Sequence, residues 1–141
     1  MKVLVIAALC AAFSPLTFAN EIECLAKNIY FEARDQKEEG RLAVAMVTMN
    51  RVKSRQFPST VCEVVYQRNQ FSWFWDGAPD NPEEEQSYKH ALALARVVYD
   101  YHHCLEDNTH GSLYYKRHDV DHRFFNKLTL VKRIDAHEFY R

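Results

Sequence analysis

The amino-acid sequence predicts an α+β domain that is mostly helical, with a small β element in its C-terminal part. Two segments space their apolar residues three and four positions apart, as helices with one buried face do, and a third segment is apolar on most sides, as a core helix is. After Gly111 the pattern changes to the alternating or continuous apolar runs of short strands. The chain has 141 residues, of which 48% are hydrophobic and 26% charged, so it fits one globular domain.

Residues 1–19 have the composition of a secretory signal peptide. Lys2 precedes an apolar run over residues 3–13, and the small residues Thr17 and Ala19 mark a cleavage site. An uncleaved membrane anchor is the alternative, but the apolar run is short for crossing a bilayer. We therefore expect a mature domain over residues 20–141 that is secreted or periplasmic, has no membrane span and is monomeric.

Four helices and two strands are predicted in the mature domain. The apolar spacing predicts a helix over residues 21–34 and a core helix, apolar on most sides, over 37–55. Thr60, with Glu63 at the distance of a capping box, predicts a short helix that ends near Tyr66. A third long helix is predicted over 83–103, and strands are predicted over 112–116 and 128–134.

Three cysteines remain after removal of the signal peptide: Cys24, Cys62 and Cys104. In an oxidising compartment one disulfide is expected, and Cys24 with Cys62 is the preferred pair. That bond would stabilise the fold by roughly 3 to 4 kcal/mol in the chain-entropy model. Three buried free thiols remain the alternative.

The charge of the mature chain argues against one class of partner. Residues 20–141 hold 17 basic and 19 acidic side chains, so a nucleic-acid partner is not expected. No cofactor is predicted either.

The setting of Glu32 is unusual for an acid. It follows the rings of Tyr30 and Phe31 and lies at the edge of the apolar face of the first predicted helix. Desolvation raises the pKa of a carboxyl group, and a carboxylic acid that stays protonated near neutral pH can serve as a general acid. Arg34 would lower that pKa if it paired with Glu32, so we expect Arg34 to form an ion pair elsewhere.

Residues 68–77 (RNQFSWFWDG) lack a regular period and combine four aromatic rings with polar side chains. Such a segment is typical of a binding loop that stacks on sugar faces, although the rings could instead fill the core. Together with a protonated acid, it would suit cleavage of a glycosidic bond.

Two other chemistries have weaker support in the sequence. His118 and His122 have the one-turn spacing of a zinc pair, but the glutamate that usually follows the first histidine is absent and the segment has weak helical character. A cysteine nucleophile paired with a histidine lacks a recognisable motif. We therefore predict no metal site.

Seven stretches carry a family resemblance. They are, in order, residues 24–26 with 28–34 (NIYFEAR); 39–40 with 43–45 and 50–52; 57–58 with 61–67; 70–73 (QFSW); 91–95; 113–115; and 134 with 137, 139 and 140. Together they resemble the SleB-type cell wall hydrolases, the family that includes spore-cortex-lytic enzymes. Asp35, Arg41 and Lys116 depart from that pattern, where Gly, Gln and His are common.

The resemblance implies a lysozyme-like, lytic-transglycosylase-like helical domain that cleaves peptidoglycan glycan strands, as a lytic transglycosylase or a muramidase. It implies that Glu32 is the catalytic acid. Glu39, Glu63 and Asp76 are candidates for a second acid if the reaction is hydrolysis, and Glu63 is better explained as a helix cap.

Six side chains are predicted to bind substrate. Gln70, Ser72 and Trp73 are placed along the sugar-binding groove, and Tyr114, Tyr115 and His137 on the facing C-terminal segment. Packing in a short strand is the alternative for the two tyrosines. Two further alternatives for the whole protein are a secreted glycan-binding module without catalysis and a zinc-dependent amidase or peptidase that uses His118 and His122.

Overall fold

The structure is a computed structural model that describes residues 15–68, 70–74, 76–77, 79 and 81–141. Most of the predicted signal peptide, residues 1–14, lies outside the described residues. The helices and strands are, in chain order, α1 (Pro15–Ala33), α2 (Glu38–Lys53), α3 (Val61–Val65), α4 (Glu85–Tyr101), β1 (Tyr114–Arg117), β2 (Leu130–Ile134) and β3 (His137–Tyr140). Short 3-10 helices cover Ser72–Phe74 and Arg123–Lys127. The predicted fold class, mostly α with a small C-terminal β element, is confirmed.

The helical core forms around α1, which contacts α2, α3 and α4. Its largest fully buried side chains include Leu25, Ile29 and Tyr30 from α1 and Met46 from α2. The second helix is buried on most of its surface, as its continuous apolar composition predicted. Among the described residues, no helix is both long and apolar enough to cross a bilayer.

The start of α3 is held by two carboxylates and one covalent bond. Thr60 Oγ1 accepts from the backbone N–H of Glu63 and donates to the Glu63 carboxylate at 2.8 Å, which confirms the predicted cap. The carboxylate of Glu21 accepts the backbone N–H of Val61 at 2.6 Å. The predicted disulfide joins Cys24 of α1 to Cys62 of α3, and Cys104 is a free, exposed thiol.

The three strands form one antiparallel sheet with the order β1-β3-β2. The central strand was not predicted, because residues 137–140 read as an aromatic and charged tail. The connection from β2 is the pair Asp135–Ala136, and Asp135 adopts the left-handed conformation with φ of 53°. Asn-Gly or Asp-Gly is the usual signal of such a hairpin, so this turn gives little warning in the sequence.

The same turn fastens the sheet to the junction of the first two helices. The Asp135 carboxylate accepts the backbone N–H of Lys37 at 2.6 Å, at the beginning of α2. Gln36 Oε1 accepts the backbone N–H of Ala136 at 3.0 Å. Ile134 and Phe139 then pack on α2 in a small second core, and Tyr115 packs against this core. The result places β1 beside the C-terminal end of α1, where Glu32 lies.

Candidate active site

Glu32 lies in the last turn of α1 and opens onto a cavity of about 870 Å³. The size is within the range of small-molecule binding pockets. The cavity lies between the end of α1, the segment around Ser72–Phe74 and the sheet. Its lining residues are Phe31, Glu32, Arg34, Asp35, Arg51, Gln70, Phe71, Ser72, Trp73, Asp76, Tyr115, Lys116, Arg117 and His137.

The carboxyl group of Glu32 is shielded from water on most sides. Its burial raises the pKa of Glu32 from 4.5 to about 7, against the opposing effects of a hydrogen bond from Tyr115 and the positive charge of Arg51. A carboxyl group with this pKa is partly protonated at neutral pH and can donate a proton. The arrangement therefore has the acid strength that general acid catalysis needs.

Tyr115 is the hydrogen-bond partner of the acid. Its hydroxyl donates to Glu32 Oε2 at 3.1 Å from the middle of β1, and its ring packs against Phe71, His137 and Phe139. Burial raises the pKa of Tyr115 well above its usual value, so the hydroxyl keeps its proton. Tyr115 orients the carboxyl group, which is a role in addition to the predicted contact with substrate.

Arg34 turns away from the acid, as expected. Its Nε lies 3.6 Å from Glu84 Oε1, and its guanidinium group lies over the ring of Tyr30 at 4.9 Å from the centroid. The positive charge near Glu32 comes instead from Arg51 of α2, which the sequence reasoning did not single out. Arg51 is 4% exposed, and its Nε donates to the backbone oxygen of Leu113 at 2.7 Å.

Two stacked rings form one wall of the cavity. Phe31 and Trp73 lie with their ring centroids 4.6 Å apart at an interplanar angle of 18°. Trp73 Nε1 donates to Asn28 Oδ1 at 3.2 Å, and Asn28 Nδ2 donates to Thr48 Oγ1. Asn28 lies one helical turn before Glu32, so this buried bridge fixes the aromatic wall relative to the acid. The signal for Asn28 was its place in the NIYFEAR stretch.

The structure brings five of the six predicted substrate-binding residues into the same cavity as Glu32. They are Gln70, Ser72, Trp73, Tyr115 and His137. His137 is buried in the central strand, and burial lowers its pKa.

Tyr114 is not among the residues that line the cavity. Successive side chains of a strand point to opposite faces, so Tyr114 and Tyr115 diverge. The ring of Tyr114 packs against Phe57 and Phe124 and lies 5.9 Å from the guanidinium group of Arg51. Its contacts favour the packing alternative, and any contact with substrate stays a prediction.

The three candidates for a second acid do not line the same cavity. Asp76 lines the cavity with Glu32, and so does Asp35, which was not considered for this role. Glu39 borders a different cavity and lies 3.7 Å from Lys132 Nζ. The carboxylate of Glu63 accepts a hydrogen bond from Thr60 at the start of α3, so it serves as a helix cap. Only Asp35 and Asp76 are therefore placed, among the described residues, to act as a second carboxylate.

The three residues that depart from the family pattern each contact another part of the chain. Arg41 donates to the backbone oxygens of Ala33 and Arg34, which closes the C-terminal end of α1. Lys116 donates to Glu138 Oε2 at 2.8 Å on the neighbouring strand. Asp35 lies 3.8 Å from Arg117 Nη1 at the rim of the cavity.

The zinc alternative finds no geometric support in the described part of the chain. His118 follows β1 in a turn, and His122 caps the 3-10 helix Arg123–Lys127 by accepting the backbone N–H of Phe124. The two residues therefore do not share a helix. No group of three or more potential metal ligands occurs among the described residues.

Comparison with known proteins gives a family match over residues 35–140, and the family is described as Cell Wall Hydrolase. The matched range begins just after Glu32, so the assignment of this acid rests on the geometry above. A spore cortex-lytic enzyme of Oceanobacillus iheyensis is 41% identical over 58 residues, which is 41% of this chain and 21% of that protein. The spore cortex-lytic enzyme of Bacillus subtilis is 40% identical over 68 residues, 48% of this chain and 22% of that protein. The matched segment thus spans about a fifth of the length of these relatives.

Two solved structures share the fold. The catalytic domain of the Bacillus cereus SleB protein has a TM-score of 0.68 and 29% sequence identity, over 87% of this chain and 91% of that one. The catalytic domain of the germination-specific lytic transglycosylase SleB from Bacillus anthracis has a TM-score of 0.68 and 28% identity, over 93% and 98%. The similarity confirms the predicted relation to SleB-type catalytic domains.

Proposed function

The chain belongs to the cell wall hydrolase family, and on that premise we propose that it cleaves the glycan strands of peptidoglycan as a lytic transglycosylase. The observation that carries the proposal is one carboxyl group, Glu32, with a pKa of about 7 in a cavity walled by aromatic rings. The named function of the Bacillus anthracis relative supports the same reaction. No cofactor takes part.

In the first step, protonated Glu32 donates its proton to the glycosidic oxygen of the bond to be cleaved. The bond between that oxygen and the anomeric carbon of muramic acid breaks, and the leaving sugar departs with a new hydroxyl group. Glu32 becomes a carboxylate, which the hydroxyl of Tyr115 and the positive charge of Arg51 stabilise. In the free enzyme the effect of burial outweighs these two groups, so the pKa of Glu32 stays raised. Once the proton has been donated, Tyr115 and Arg51 stabilise the carboxylate that remains.

In the second step, the Glu32 carboxylate accepts the proton of the muramic acid 6-hydroxyl group. The oxygen of that hydroxyl attacks the anomeric carbon, which gives a 1,6-anhydro end and regenerates protonated Glu32. No water is consumed, and one carboxyl group serves as acid and then base. Hydrolysis by inversion or retention would need a second carboxylate at a defined separation, for which Asp76 and Asp35 are the available groups.

The aromatic wall supports a sugar substrate. Trp73 is buried and stacks on Phe31, so the partly exposed ring of Phe31 is the apolar surface on which the C–H face of a sugar ring can pack. Ser72 and Gln70 lie beside them and supply hydrogen-bonding groups for hydroxyl and acetamido substituents. The glycan chain would thus lie across the end of α1 with the scissile bond over Glu32.

We also propose that the protein is exported, with a signal peptide over residues 1–19. The disulfide between Cys24 and Cys62 supports this location, because such bonds persist in oxidising compartments outside the cytoplasm. Peptidoglycan lies in the same compartment.

Replacement of Glu32 by Gln tests the function. The enzyme account predicts that Glu32→Gln no longer solubilises purified sacculi, measured as loss of turbidity, but still sediments with them. Glu39→Gln is the matched control, since Glu39 borders another cavity, and it should retain activity. Turnover by Glu32→Gln would refute the assignment of the acid. Binding to sacculi with no turnover by the wild-type protein would favour the glycan-binding module.

A further inference from the structure

The guanidinium group of Arg51 is buried, and one of its nitrogens makes no hydrogen bond within the described residues. Its centre lies 5.1 Å from the ring centroids of Phe57 and Phe71 and 5.9 Å from that of Tyr114. The Nε–H donates to the backbone oxygen of Leu113. Nη1 is buried and has no hydrogen-bond partner among the described residues.

An unpaired N–H on a buried cation is unfavourable, and native proteins rarely leave one without a role. The aromatic rings occupy space around the group but supply no strong acceptor for an N–H in its plane. Arg51 also lines the cavity onto which Glu32 opens. A molecule bound in that cavity can therefore offer an acceptor to the guanidinium group, through the part of Arg51 that lines the cavity.

A guanidinium N–H binds best to the oxygen of a planar carbonyl or carboxylate group. The hydroxyl groups of a sugar lack this planar geometry. N-acetylmuramic acid carries two suitable groups, the carbonyl of its acetamido substituent and the carbonyl of its lactyl substituent. N-acetylglucosamine carries the first of these alone.

We propose that Arg51 is a substrate-binding residue whose guanidinium group donates to a carbonyl oxygen of the N-acetylmuramic acid unit bound beside Glu32. This inference rests on the proposed function. The contact fixes the position of the sugar ring whose anomeric carbon is attacked. It also gives the buried cation an acceptor other than Glu32, whose pKa direct pairing would lower.

The test is binding, measured by calorimetry in proteins that also carry Glu32→Gln so that substrate persists. The ligands are a purified glycan fragment of alternating N-acetylglucosamine and N-acetylmuramic acid, and a chitooligosaccharide of the same length. Arg51→Met removes the donors and keeps apolar bulk between the rings, and Arg133→Met, on the exposed side of β2, is the matched control. Arg51→Met should weaken binding of the glycan fragment by about 10- to 100-fold, the range for a hydrogen bond to a charged group, while Arg133→Met should leave it unchanged.

The chitooligosaccharide separates the two carbonyl groups. An equal loss for both ligands assigns the acetamido oxygen, and a loss confined to the muramic acid ligand assigns the lactyl oxygen. Unchanged binding of both ligands by folded Arg51→Met overturns the proposal. If the pH profile of activity moves while binding stays the same, Arg51 acts on Glu32 alone. Thermal unfolding confirms that the variant is folded.

If Arg51→Met fails to fold, nitrogen-15 labelling of arginine in Glu32→Gln supplies the same answer. Addition of the glycan fragment should shift the guanidinium resonances of Arg51 and slow their proton exchange, and no change would refute the contact. Because binding is measured without turnover, failure of the proposed reaction would appear separately, as the absence of products from the wild-type protein.

Discussion

Neutralisation of Glu32 should stabilise the protein at alkaline pH and have little effect at acid pH. In the folded protein the pKa of Glu32 is about 7, against 4.5 for an ordinary glutamate. Below pH 4.5 the group is protonated in both the folded and the unfolded chain, so Glu32→Gln changes little. Between the two pKa values the unfolded chain ionises first, and the free energy of unfolding falls as the pH rises. Above pH 7 the folded protein holds a buried carboxylate, and the full cost is present.

The magnitude follows from the difference between the two pKa values. Each tenfold change in the acid dissociation constant corresponds to about 1.4 kcal/mol, so the wild-type protein loses about 3 kcal/mol relative to Glu32→Gln across this range. Urea unfolding of both proteins between pH 4 and pH 9 measures the difference. Glu106→Gln, at an exposed position, is the control for the loss of one acidic side chain. A pH-independent difference for Glu32→Gln would refute the reasoning that burial raises the pKa of this acid.

Three further predictions concern the hydrogen bond to Glu32, the disulfide and the turn at Asp135. Tyr115→Phe removes a hydrogen bond worth about 1 kcal/mol from the Glu32 carboxylate, so the acid dissociation constant of that group should fall about fivefold and the alkaline limit of activity should move to higher pH; an unchanged pH profile would contradict this. Replacement of both Cys24 and Cys62 by Ser should cost roughly 3 to 4 kcal/mol and lower the thermal midpoint by roughly 10 °C or more, and addition of reductant should lower the wild-type midpoint alone. Asp135→Ala removes the acceptor at the start of α2 and leaves alanine in the left-handed conformation, so it should cost about 1 to 3 kcal/mol in urea unfolding, whereas Asp135→Asn should cost much less; equal costs would refute the role of the side-chain acceptor.

The helices of this protein and the two outer strands of its sheet could be predicted from local sequence, and the central strand could not. Apolar spacing identified α1, α2 and α4, because an amphipathic or buried helix repeats its pattern over many residues. The first helix begins at Pro15, earlier than predicted, and proline is well tolerated in the first turn. The central strand β3 has four residues and follows an Asp–Ala turn, so neither its length nor its turn gave a signal.

The proposed catalytic acid was identifiable from its neighbours in the sequence, but the groups that shift its pKa were not. Glu32 stood out because two rings precede it in the sequence. The hydroxyl of Tyr115 reaches it from a residue 83 positions away, and Arg51 reaches it from a helix that read as core. Contacts of this kind depend on how the sheet packs on α2, which a single sequence does not encode in any local pattern.

The central claim is that one glutamate cleaves the glycan strand without water. Mass spectrometry of the fragments that the wild-type protein releases from purified peptidoglycan, digested in water enriched in heavy oxygen, tests it most directly. The account predicts muramic acid ends in the 1,6-anhydro form with no heavy oxygen, and none of these products from Glu32→Gln. Reducing ends that carry heavy oxygen, or free peptides without cleaved glycan, would contradict it.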